Sequence, residues 1–201
     1  MSGESTANPV GPRPGSRQPA PGQLALVQAF LNTRFNLTAD DHGETFTDPE
    51  ALVVWLASRG LVDERPDLTE ADLVRAIAIR EGLRALAFAN NGRPLAARAV
   101  TQMREASSGL QVEVRLGSDG PEFLAGDAGG VEPALGLLIA VAARAKVEGT
   151  WQRLKACPGR NCGWVFFDHS RNGSSRWCSM KVCGDREKSR ALYWRKAERR
   201  G

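Results

Sequence analysis

No stretch of this sequence reaches the ~20 apolar residues that a membrane-spanning helix needs. The longest, Ala134 to Val147, covers 14 residues and already contains Arg144. It reads as a buried helix, which excludes an integral membrane protein. A secretory signal is also missing. Residues 1–22 carry Pro9, Pro12, Pro14, Pro19 and Pro21, interleaved with Gly3, Gly11, Gly15 and Gly22, and no apolar run of 7–15 residues. Such a segment cannot build a core and is expected to be a disordered tail, with the cytoplasm as the default compartment. Catalytic signatures are absent as well: there is no phosphate-cradling glycine motif, no nucleophile elbow and no paired histidines on a helix. One of the two histidines, His42, sits in a polar Asp40-Asp41-His42-Gly43 stretch that reads as a loop rather than a metal site. The chain is therefore not expected to be an enzyme, although an unrecognised pocket in the N-terminal part remains an alternative.

What is present is a chain of 201 residues, 42% hydrophobic and 25% charged. This is a globular composition with room for one domain, or one domain plus a small module. The net charge of +4 is unevenly divided. Residues 151–201 hold thirteen Lys and Arg against four Asp and Glu, a net +9, and the first 150 residues are −5. A basic C-terminal quarter on a mildly acidic body indicates two modules and a polyanionic partner for the basic one.

Periodicity and capping signals place the elements. Leu24, Val27, Phe30 and Leu31 have helical spacing within Gln23 to Arg34. Asp48-Pro49-Glu50 reads as a cap with proline at the first helical position, opening a helix that stops near Gly60. Thr69-Glu70-Ala71-Asp72 resembles a capping box before a helix with Leu73, Ala76, Ile79, Leu83 and Leu86 on one face. Asn91-Gly92-Arg93-Pro94 breaks that helix, and a shorter one is expected over Leu95 to Ala106. Leu110 to Leu116 alternates like a half-buried strand and predicts a hairpin with Glu122-Phe123-Leu124. Pro133 opens the last long helix of the body, ending near Gly149. The fold class is α+β: a mainly helical N-terminal domain over 23–150 with a small β-hairpin, then a small second module over 151–201 with a C-terminal helix.

The chemistry lies in four cysteines, Cys157, Cys162, Cys178 and Cys183, spaced C-x4-C-x15-C-x4-C. Two close pairs across a loop can supply four thiolates to one tetrahedral ion, the arrangement Zn²⁺ favours. Four thiolates leave no position for water, so one structural zinc is expected. Neither pair has the C-x-x-C spacing of a redox centre, and His169, between the pairs, is read as an ordinary side chain. A segment of this size with few large aliphatics cannot fold on its own core, so the metal is expected to nucleate it. Trp164, Val165, Phe166, Phe167 and Trp177 are expected to pack around it.

Around these cysteines the sequence resembles the CGNR zinc finger. The resemblance is carried by Phe166-x-Asp168-x-Ser170-x-Asn172, Arg176-Trp177-Cys178 and Cys183-Gly184-Asp185-Arg186. The body is similar to the ABATE domain through Leu24-Ala25-Leu26, Phe30-Leu31-Asn32-Thr33, Trp55-Leu56 and the helix after Leu68. The resemblance implies a stress-related transcription regulator whose finger binds DNA. The family's asparagine in the final motif is Asp185 here, which is expected to cap the C-terminal helix. The family's aspartate before the opening Phe-x-Asn-Thr element is replaced by Gln28-Ala29.

Candidate nucleic-acid contacts are Arg171, Arg176 and Lys181 on the finger and Arg186, Lys188, Arg190, Arg195, Lys196 and Arg199 on the C-terminal helix. A helix of this kind can lie in a groove or across phosphates. DNA is the expected partner, with RNA or an acidic protein as the alternative. The N-terminal domain is expected to sense an effector or form a homodimer.

Overall fold

The computed structural model describes residues 17–35, 43–62, 65–118, 120–125 and 129–198. His42 lies outside them. The chain forms α1 (Leu24–Leu31), α2 (Pro49–Ala57), α3 (Glu70–Ala89), α4 (Ala97–Ala106), the hairpin β1 (Glu113–Gly117) and β2 (Gly120–Leu124), and α5 (Glu132–Val147). A second small antiparallel pair follows, β3 (Leu154–Ala156) and β4 (Val165–Phe167), and then a π-helical turn (Met180–Gly184) leading directly into α6 (Asp185–Glu198). No helix among the described residues is long and apolar enough to cross a membrane.

Local chemistry explains the helix starts. The Asp48 carboxylate accepts from the Ala51 N–H at 2.8 Å, with Pro49 at the first helical position. At α3 the Asp72 carboxylate accepts from the Thr69 N–H at 2.8 Å, and the Thr69 hydroxyl accepts from the Asp72 N–H at 3.3 Å, closing a capping box. Leu73, Ala76, Ile79, Leu83 and Ala87 then form the buried face. Helix α4 lies close against α3 because residue 82 is glycine: a Cβ there would stand 2.2 Å from the Met103 Cβ.

The body core is built from α1, α2, α3 and α5, with Phe30 in ring contact with Phe46 and Trp55 at 5.9 and 5.6 Å. Trp151, Leu154, Ala156, Val165 and Phe167 belong to the same buried cluster, so β3 and β4 complete the core of the body. Side-chain amides stitch this junction. Asn90 donates to the Trp151 and Leu154 carbonyls at 2.7 and 2.8 Å. Asn91 donates to the Ala156 and Arg176 carbonyls at 2.9 and 2.8 Å.

Three features depart from the sequence expectations. The strand begins at Glu113 and faces solvent, with Val114 51% and Leu116 88% exposed, while the hairpin meets the body through β2, whose Phe123 packs against the core. Within residues 17–22, which composition assigns to the tail, Ala20 is buried and its N–H donates to the Gln28 side-chain oxygen at 2.7 Å. Charge also enters the core. Arg80, fully buried on α3, donates to both Glu44 carboxylate oxygens at 2.6 Å and to the Thr33 hydroxyl at 3.1 Å, pinning the segment after α1.

Candidate metal centre and basic surface

Strand pairing sets the first cysteine pair. β3 and β4 align Leu154 with Phe167, Lys155 with Phe166 and Ala156 with Val165. The Cys157 N–H extends the ladder to the Trp164 carbonyl at 2.9 Å, and the Cys162 N–H closes a turn on the Gly159 carbonyl at 3.0 Å. Asn161 (φ 58°) and Gly163 (φ 65°) adopt left-handed conformations that reverse the chain around Cys162. The second pair sits at a helix start. Ser179 caps the π turn, its hydroxyl accepting from the Val182 N–H at 3.3 Å, and the Cys183 N–H donates to the Ser179 carbonyl at 2.9 Å.

The four sulfurs lie within 4.8 Å of one another, with Cys162 to Cys178 at 3.6 Å and Cys178 to Cys183 at 3.5 Å. A tetrahedron of thiolates at about 2.3 Å from zinc places its sulfurs roughly 3.8 Å apart, so the cluster is the right size for one ion. Every cysteine is at least 95% buried, which leaves no face for water or substrate. Hydrogen bonds from the Cys162 and Cys178 thiols pull Cys157 far below the ordinary thiol range. The same contacts push Cys162 and Cys178 up, and burial raises Cys183. A divalent cation held by the four sulfurs would supply the charge that keeps them as thiolates.

The aromatic residues divide by strand alternation. Trp164 and Phe166 lie beside the sulfurs together with Phe35 of the body, whose ring meets Trp164 edge-on at 5.1 Å. Val165 and Phe167 point the other way into the body core, so they do not surround the metal as the composition of the segment implied. Trp177 is half-buried against the sulfur cluster. His169 is exposed, meets the Phe167 ring at 4.8 Å with a 58° tilt and is not part of the metal-binding group.

The Phe-x-Asp-x-Ser run is a loop scaffold. The fully buried Asp168 carboxylate takes the Lys155 ammonium at 2.8 Å, the Ser170 hydroxyl at 2.6 Å and N–H at 3.0 Å, and the Ser175 N–H at 2.8 Å. Burial opposes its ionisation, but the Lys155 ammonium and the Ser170 and Ser175 donors outweigh this and hold the carboxyl well below its usual range. Arg153 binds the Asp168 and Ser170 carbonyls at 2.9 and 2.7 Å. Arg17, which sequence reasoning left in the tail, donates to the Cys178 and Trp177 carbonyls at 2.8 and 3.0 Å and lies over the Phe166 ring.

Arg171, Arg176, Lys181, Arg186, Lys188 and Arg195 are exposed. Arg176 lies over the Trp177 ring at 5.5 Å, and Arg190 is half-buried, bonded to Glu187 at 2.8 Å. Lys196 falls on α6, and Arg199 lies outside the described residues. Asp185 is not the helix cap: its backbone is already helical (φ −69°, ψ −36°), and Ser179 takes that role because the π turn and α6 are continuous.

Arg84 is 95% buried on α3 and was not anticipated. It donates to the Leu31 and Arg34 carbonyls at 2.7 Å each, and burial lowers its pKa to about 10 against the pull of Glu81. Arg80 and Arg84 both fall in line with the apolar positions of α3, and that break in an apolar stripe was the available signal.

No curated protein matches the chain. The model of the CGNR zinc finger matches residues 153–196, which contain all four cysteines, and with their geometry this identifies one structural zinc. The model of the ABATE family, described as "Putative stress-induced transcription regulator", matches residues 24–148. That match spans more than half of the sequence, and the chain belongs to the ABATE family, with a CGNR zinc finger over residues 153–196.

Proposed function

We propose that this protein is a zinc-dependent DNA-binding transcription regulator. In this reading Cys157, Cys162, Cys178 and Cys183 hold the ion, and α6 with the finger's exposed cations meets the nucleic acid. The observation that carries the reading is the setting of α6. It springs from the metal-bearing π turn and holds Arg186, Lys188 and Arg195 in solvent. The turn contains Cys183, so the ion fixes the direction in which these charges project. Contacts from such a helix to phosphates give affinity and register, and base edges give sequence preference. The body, through the core it shares with β3 and β4, is the part that senses an effector or forms a dimer.

The test is duplex DNA binding by zinc-loaded protein at two salt concentrations, repeated after chelation and with RNA as competitor. Binding that falls steeply with salt, disappears on chelation and resists RNA is the expected result. Equal competition by RNA would favour an RNA module. No binding at low salt with full zinc occupancy would overturn the reading.

A further inference from the structure

A cavity of about 190 Å³ lies where the body meets the finger, walled by Arg34, Arg84, Arg93, Phe88 and Gly163. Three arginines therefore line one small space. The nearby described carboxylates are Glu44, which is taken by Arg80, and Glu81, which is shared: it lies 3.0 Å from Arg80, 3.5 Å from Arg84 and 3.7 Å from Arg34. The cavity wall thus holds more positive charge than the described carboxylates balance. Like charges gathered around one space beside the buried Arg84 repel one another unless an anion joins them.

Arg84 is the built element. Its Nη1 is committed to the Leu31 and Arg34 carbonyls, which fixes the guanidinium plane. Its buried Nε makes no hydrogen bond among the described residues and lies 3.5 Å from a Glu81 carboxylate oxygen. The Nη2 faces Gly163, where a Cβ would come within 2.7 Å of it and 3.5 Å of the Phe88 ring. Glycine at 163 keeps that end of the cavity clear. Arg93 stacks on Phe88 at 4.6 Å and donates to the Pro158 carbonyl at 2.8 Å.

We propose that this cavity binds a small oxyanion, a carboxylate or a phosphate, held by Arg34, Arg84 and Arg93 with Phe88 as its apolar wall. Planar guanidiniums suit either anion because they bond it in pairs. The site bears directly on the metal loop. Gly163 follows Cys162, and Pro158 follows Cys157, so an occupant stiffens the turn that carries the first cysteine pair. Anion and metal then support each other's binding, as linkage requires. The role of this anion as the regulator's effector rests on the DNA-binding reading; its binding does not.

Calorimetric titration of zinc-loaded full-length protein with benzoate and with inorganic phosphate tests this, with methylammonium as the cation control. Saturable binding of an anion in the millimolar range or tighter is expected, at least tenfold weaker in Arg34→Gln and in Arg93→Gln, with none for methylammonium. Tighter benzoate identifies an organic carboxylate as the occupant's class, and tighter phosphate a phosphorylated one. Arg84→Lys, which keeps the charge but loses the fork, should also weaken binding; because Arg84 supports α1, the two exposed arginines decide if that variant fails to fold. No saturable binding of either anion, or binding unchanged in both Arg34→Gln and Arg93→Gln, overturns the proposal. These titrations contain no DNA, so loss of DNA binding and loss of anion binding are separate results.

Discussion

Asn32 on the body and Val165 on the finger are paired through two hydrogen bonds. The Asn32 amide donates to the Val165 carbonyl at 2.8 Å and accepts from the Val165 N–H at 2.7 Å, both buried. One side chain thus takes the place of a neighbouring strand on β4. Asn32→Ala leaves a buried donor and acceptor with less to bond, at about 1–3 kcal/mol for each group left unsatisfied. The Gln28 side chain, 3.2 Å from the same carbonyl, can relieve part of this. We expect about 2–4 kcal/mol of lost stability in urea denaturation, with Asn32→Asp no better because it cannot donate to the carbonyl.

Zinc removal should reach past the finger. Leu154, Ala156, Val165 and Phe167 lie in the body's core cluster, while the cysteines lie on the other side of the same strands. Cys178→Ser should lose the metal and lower the thermal midpoint of the whole chain in one broadened transition. Near-UV dichroism and zinc analysis check this. Unchanged dichroism with full zinc content would refute a structural role for the site.

Acid should loosen the 168–175 loop by protonating Asp168. Its carboxyl is held below the usual value near 3.8, so its contribution is complete above that value and fades as pH falls below it. Asp168→Asn leaves the buried Lys155 ammonium without its carboxylate, and breaking such a pair costs about 3–5 kcal/mol. The variant should be destabilised at neutral pH and lose that part of the acid dependence, as denaturation midpoints across pH will show.

Charge on α6 should set the salt dependence of DNA binding. Lys188 and Arg195 are exposed, so Lys188→Ala and Arg195→Ala should leave the thermal midpoint almost unchanged. Each should weaken binding across all duplex sequences and reduce the slope of log affinity against log salt by about 1. Arg190→Ala should do less, since Arg190 is already bonded to Glu187.

Much of the molecule was legible residue by residue. The caps at Asp48 and Thr69 were readable because their partners lie three residues away in the chain. The metal cluster was readable because its four ligand candidates fall within one short segment, and thiol spacing restricts which ions they can share. The alternation of Leu110 to Leu116 correctly indicated a strand but not its burial, because burial depends on what covers the strand.

The tertiary structure decided the remainder. Asn32 lies 133 residues from Val165, Arg80 is 36 from Glu44, and Arg84 reaches Arg34 across 50. The break in the apolar stripe of α3 marks Arg80 and Arg84 as facing inward, but no local pattern names the partners they find there. The metal ligands come from sequence because coordination is chemistry between near neighbours. The core shared by body and finger, and the arginine-lined cavity at their junction, exist only once distant segments pack, because burial and charge compensation belong to surroundings rather than to a residue type.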